Sequence, residues 1–180
     1  MKKIIAIAAL LALGVSVVAF KTDAFFTATG TACNVITSGS TQIEIKETDA
    51  DGNPYPTEPI AILPGMSVGK TVTVRNTGTS AAWVRVAMET TAAGSKALDA
   101  QSVLLQTDTK HWTQQDGYYY YNTALAAGQE TEPLLAQVTF SADMGNDYQG
   151  AVVNVSITGY AVQTANNGST VFEAAGWPKG

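Results

Sequence analysis

One cysteine and one histidine stand in this chain of 180 residues. With Cys33 alone, no internal disulfide can form. An exported form must then rely on its own core, on a bound metal, or on association with copies of itself. The other use of a lone extracellular thiol is a bond between chains. A zinc site needs three or four ligands drawn from His, Cys and carboxylates, and here there are no paired histidines at helical spacing. A Cys33–His111 pair is the one thiol–imidazole arrangement available to nucleophilic catalysis, and nothing around either residue has the setting of a nucleophile. Phosphate-cradling glycine loops, serine elbows and dinucleotide fingerprints are missing as well. These absences argue against an enzyme, and no cofactor is implied.

Charge is also scarce. Only 14% of residues are charged, no block of like charge stands out, and the formal net charge is −5. Such a chain repels phosphate backbones and anionic membranes, which disfavours nucleic acid as a partner. The acidity reads as solubility.

The first residues carry the clearest address. Lys2 and Lys3 precede an unbroken apolar run from Ile4 to Phe20, and the polar Lys21-Thr22-Asp23-Ala24 follows. A basic start, an apolar middle and a small residue at the cut describe a secretory signal peptide. The run approaches the length of a membrane span, but it is rich in Ala and no cationic stop-transfer cluster follows it. The expectation is a signal peptide over residues 1–24 cut between Ala24 and Phe25, with Ala19 as the alternative cut. Contact with the membrane is confined to the time before that cut. Removal of Lys2, Lys3, Lys21 and Asp23 takes the charge from −5 to about −7. Residues 25–180 then form one domain, large enough to bury a core without staples.

Helix-period stripes are absent from that domain, Thr, Ser, Val, Ala and Gly dominate, and turn signals recur. The pattern predicts an all-β antiparallel sandwich of about eight strands. Gln42–Lys46 alternates with Ile43 and Ile45 on one face. Lys70–Arg75 alternates with Val72 and Val74 inward, and Trp83–Met88 with Val84, Val86 and Met88 on one face. Ser102–Gln106 is a short strand, and Ala93–Gln101 has room for one helical turn. His111–Gln114 and Tyr118–Tyr121 flank Asp116-Gly117, a hairpin signal. Pro133–Phe140 places Leu135, Val138 and Phe140 in the core. Ala151–Val162 is the last strand; Val153, Val155 and Ile157 share a face, and a parity shift at Gly159 predicts a bulge. Asp49–Pro54, Leu63-Pro64-Gly65 and Asn76–Ser80 are turns.

Remaining polar clusters have ordinary readings. Asp49-x-Asp51-Gly52-Asn53 partly imitates a calcium loop but lacks the spacing and closing Glu of one, and reads as a solvated hairpin loop. The oxygen-rich Asp143, Asn146 and Asp147 read the same way, so no metal site is expected. His111 reads as structural or solvent-facing. In the tyrosine run, Tyr118 and Tyr120 face one way and Tyr119 and Tyr121 the other. One pair is expected in the core and the other on the surface, where an aromatic pair grips sugars or a neighbouring subunit.

The stretch around the cut is distinctive: Ala24-Phe25-Phe26-Thr27, then Asn34, Ile36, Ser38-Gly39 and the alternating Ile43-Glu44-Ile45. With Leu63-Pro64-Gly65, Val72–Gly78, Val84-Arg85-Val86 and the ending Ala161-Val162-Gln163 to Trp177, it resembles the TasA/camelysin family of secreted bacterial proteins. The resemblance leaves residues 91–150 uncovered. It implies a jelly-roll-like sandwich, signal cleavage by a dedicated peptidase, and head-to-tail assembly of identical subunits into extracellular biofilm-matrix fibres by donor-strand complementation. On that reading residues 25–39 form a free donor segment, and Phe25, Phe26, Val35 and Ile36 are the partner-binding residues. Burying three or four such side chains contributes roughly 5–10 kcal/mol before ordering costs. Two alternatives stay open: a monomeric surface module that binds carbohydrate or protein through its tyrosines, and a camelysin-like peptidase.

Overall fold

The computed structural model describes residues 26–29, 33–37, 41–93, 101–145, 148 and 151–178. It is all-β, built as two packed sheets. The leading segment supplies β1 (Phe26–Thr29) and β2 (Cys33–Thr37). The eight strands legible from alternation follow as β3 (Ile43–Thr48), β5 (Ser67–Asn76), β6 (Ala82–Ala93), β7 (Val103–Thr107), β8 (Trp112–Gln115), β9 (Tyr118–Tyr121), β10 (Leu135–Phe140) and β11 (Val152–Gln163). The short β4 (Ile60–Ile62) completes the set. One sheet runs β4-β1-β11-β6-β9-β8, with β2 also paired to β11; the other runs β3-β5-β10-β7.

Turn chemistry sets the connections. Asp116 and Gly117 both adopt positive φ, 49° and 81°, which is the backbone of a type I′ turn and matches the twist of the β8–β9 hairpin. Gly65 has φ 76°, and the Met66 N–H donates to the Leu63 carbonyl at 3.0 Å, closing the expected Pro-Gly turn. At the end of β5, the fully buried Asn76 donates its amide to the carbonyls of Ser80 and Leu125 at 2.8 and 2.9 Å. Its side chain replaces the strand ladder where the chain turns.

Alternation assigns the core. Val72 and Val74 of β5, Val84 and Val86 of β6, and Ile157 of β11 are all fully buried, and each such side chain contributes about 1.5–3 kcal/mol. Leu135 and Val138, three apart in β10, both reach the interior because the register with β5 and β7 shifts between Leu135 and Gln137. The bulge therefore lies in β10. It does not lie at Gly159, where the sequence pattern places one: β11 pairs with β6 without interruption from Val152↔Ala93 to Gln163↔Ala82.

The apparent parity shift at Gly159 has another cause, burial on both faces. Val153, Val155, Ile157 and Ala161 face the opposite sheet, while Tyr160 and Val162 face outward under a second apolar cluster with Trp83, Tyr120 and Val171. The C-terminal stretch covers that outer face, with Trp177 edge-on to Tyr120 at 6.0 Å. A glycine is needed at 159 for space. A Cβ there would sit 3.1 Å from Ile43 Cδ1 and 3.2 Å from Ile45 Cδ1, so the missing side chain lets β3 pack over β11. Residues 94–100 lie outside the described residues, and with them most of the expected helical turn; β6 runs on to Ala93. Replacing Gly159 with Leu should overpack this contact and lower stability by about 1–3 kcal/mol, measured as a reduced midpoint in chemical denaturation with an unchanged slope.

Candidate assembly edge along the last strand

The edge of β11 opposite β6 is where the leading segment lies. β1 runs parallel to it, with Thr27↔Val152, Ala28↔Val153 and Thr29↔Asn154. β2 continues in the same direction, from Cys33↔Ile157 to Thr37↔Ala161. The register slips by one residue between the two pieces. Residues 25–39 were expected to be free for a neighbour. Their described part, Phe26–Thr29 and Cys33–Thr37, instead docks on its own chain in this single-chain structure.

The two halves of this seat differ. β1 is held on both sides, since β4 pairs with it antiparallel through Phe26↔Ile62, Thr27↔Ala61 and Ala28↔Ile60. Ile62 is fully buried and anchors β4 to the core. Pro59 and Pro64 flank β4, and proline next to a strand discourages further pairing on its outer side. β2 forms its strand ladder with β11 alone among the described strands. Of the predicted donor residues, Phe26 lies opposite Ile62, Val35 opposite Gly159 and Ile36 opposite Tyr160. Val35 remains 42% exposed, so it contributes only part of a buried residue's free energy in this position. Phe25, Ala24 and Ala19 lie outside the described residues.

The physical demand for a strand here comes from β11 itself. Its inner face is buried along its length, and its outer face is buried at Tyr160 and Val162. Backbone N–H and C=O groups on such a strand have little access to water, and an unpaired buried group costs about 1–3 kcal/mol. A dozen residues paired on one side only would leave several such groups unmet. The leading segment meets them.

Other sequence candidates lie elsewhere. His111 sits at the β7–β8 turn with Nδ1 2.5 Å from Asp108 Oδ2, a local turn contact. Among the described residues no three His, Cys, Asp or Glu side chains converge on one point. Asp49 turns its carboxylate onto its own loop, accepting the N–H groups of Asp51 and Asn53 at 2.9 Å each. Asp143 is exposed, while Asn146 and Asp147 fall outside the described residues. Tyr121 is buried in the main core and Tyr119 packs against it. The outward pair Tyr118 and Tyr120 lies under the C-terminal stretch, not on an open surface. There the Arg85 guanidinium stacks on Tyr118 at 3.8 Å and Trp177 at 4.6 Å. Arg85 shares the outward parity of β6 with Trp83, so alternation alone could have placed it beside those rings.

Sequence reasoning overlooked Lys70. It shares the β5 face of Val72 and Val74 and has only 3% of its side chain exposed. Its ammonium lies 2.9 Å from Glu47 Oε2 and 3.7 Å from the centre of the Tyr55 ring. Burial, and secondarily the Glu47 charge, push the Tyr55 hydroxyl above its ordinary pKa. Alternation through β5 assigns position 70 to the interior, but a lysine at the start of a strand reads as solvated.

Among the described residues, four carboxylates are held below their ordinary range. The causes are the Asn53 backbone N–H on Asp49, the His111 ring on Asp108, the Lys46 ammonium on Glu130, and the Tyr121 hydroxyl on Glu132. A carboxylate depressed in the folded state stabilises the fold above its unfolded pKa, and that contribution is lost as pH falls. The unfolding free energy should therefore be level with respect to these groups from neutrality to about pH 4.5 and decline below it, as read by denaturant midpoints across that range. Comparison with known proteins finds no matching family model, no matching curated protein and no matching solved structure.

Proposed function

We propose that this chain is exported, cut by a signal peptidase between Ala24 and Phe25, and used as the structural subunit of an extracellular fibre in a biofilm matrix. Each copy lends its leading segment, residues 25–39, to the β11 edge of the next copy. It carries no catalysis and no cofactor, and it touches the membrane only before the cut. The observation that supports this reading is the parallel docking of β1 and β2 on β11, a seat that cleavage at Ala24 would leave open to exchange by any identical segment.

The same contacts are available within and between copies, so exchange costs little beyond the ordering of the connecting residues, and concentration drives it. When the exchange does not close on itself, the product is a filament. The connection is short. Thr37 pairs with Ala161, and Thr41, buried to 1%, places its hydroxyl 3.5 Å from the Ala161 carbonyl. The four steps from Thr37 to Thr41 span at most about 14 Å when extended. With the further ~5 Å between paired strands, an acceptor's Ala161 must come within roughly 19 Å of the donor's Thr41, which sets neighbouring subunits close together at the ends of their last strands.

The sugar-binding alternative rests on an exposed tyrosine pair, and no such open pair is present among the described residues. A cysteine pair tests the proposal: Thr27→Cys with Ala61→Cys in a Cys33→Ser chain. In dilute monomer, oxidation should give an internal bond. In assembled material it should give a ladder of covalent oligomers on a denaturing gel. Fibres in which the bond stays internal would overturn strand exchange.

A further inference from the structure

Five strands have an open side among the described strands: β2, which belongs to the leading segment described above, and the strands at the two ends of each sheet, β4, β8, β3 and β7. Of the latter four, β4, β8 and β3 carry features that discourage pairing. β4 is three residues long and flanked by Pro59 and Pro64. β3 presents Glu44 and Lys46 outward, with Lys46 bonded to Glu130 at 2.6 Å. β8 is four residues long and ends in the tight Asp116-Gly117 turn. β7 carries none of these. Its five residues, Val103-Leu104-Leu105-Gln106-Thr107, contain no charge and no proline, and only β10 pairs with it among the described strands.

Leu104 is 55% exposed, the most exposed of the large apolar side chains described. It stands on the outer face beside Thr139 and, one strand further, Ser67. Ser67 and Thr139 join their hydroxyls at 2.9 Å, and Gln137 donates to Thr139 at 3.1 Å. The surface flanking Leu104 is therefore uncharged. A subunit of net negative charge repels its own copies everywhere that charge is carried, and an uncharged edge of β-prone residues is where that repulsion is weakest.

We propose that β7 is a lateral contact between two copies of this chain, pairing antiparallel with its own counterpart across a two-fold axis. With the axis at Leu105, Leu104 stands opposite the other copy's Gln106, and Val103 opposite its Thr107. The pairing is self-complementary and joins two four-stranded sheets into one of eight. Five-residue strands bury far less than a stable dimer requires, about 800 Å² per partner, so single copies associate weakly. Copies arrayed in register would reinforce one another. This contact lies on the sheet opposite to the β11 edge, so it does not depend on the exchange of the leading segment.

The test uses the full mature chain with Thr27→Cys, Ala61→Cys and Cys33→Ser. An internal disulfide between the two introduced cysteines, at positions 27 and 61, locks β1 to β4 and blocks strand exchange. Sedimentation equilibrium at rising concentration should show a weak monomer–dimer equilibrium, with amide exchange in β7 slowing as dimer accumulates. Leu104→Lys and Gln106→Lys, both at solvent-facing positions, should weaken dimerisation at least tenfold without changing the unfolding midpoint. A locked chain that stays monomeric at millimolar concentration, β7 amides indifferent to concentration, or lysine variants that dimerise as well as the parent would each overturn the proposal. None of these outcomes bears on strand exchange, which the lock removes.

Discussion

The backbone ladder between β11 and whatever strand lies beside it is the interaction on which the rest of this molecule depends. β11 pairs with β6 over its whole length and carries core side chains on its inner face and Tyr160 and Val162 on its outer face. A strand buried this way cannot satisfy its second edge with water at no cost. The leading segment satisfies it, and β4 closes over that segment from outside. Core packing, the outer aromatic cluster and the N-terminal strands thus meet on one element. The segment that completes the sheet is also the one that the signal peptide holds back until it is cut, on the reading proposed above.

The two sheets treat their edges differently. Proline beside β4 and charge along β3 discourage unplanned pairing, whereas the β11 edge is filled by a segment entering from one end of the chain. On the reading proposed above, an edge filled by a segment that exchanges would suit a subunit that stays soluble during export and assembles afterwards. On the same reading, the net charge of −5 would keep copies apart until backbone pairing offset the repulsion.

Much of the fold was legible because its strands bury one face at a time. Ile43, Val72, Val74, Val84 and Val86 alternate with polar neighbours, and Asp116-Gly117 declares its hairpin. Legibility failed where that condition failed. Gly159 looked like a bulge because alternation presumes one wet face, and β11 has none at Tyr160 and Val162. Lys70 was overlooked because the partners that hold it in the interior, Glu47 and Tyr55, are remote in sequence. β4 was missed because three residues between prolines carry no period. At the β11 edge, the residues of β1 and β2 were singled out by their likeness to a family and by their position after the expected cut. Their parallel register on β11 follows from tertiary pairing, which no local pattern encodes.

The most direct measurement is complementation in trans. A chain beginning at Thr41 would be titrated with a synthetic peptide of residues 25–39 carrying Cys33→Ser, while following the thermal midpoint and the amide exchange of Val152–Ala161. The account predicts a truncated chain with a lowered midpoint and fast exchange along β11, and saturable recovery of both as peptide is added. A truncated chain as stable as its parent, with β11 already protected and indifferent to the peptide, would contradict it.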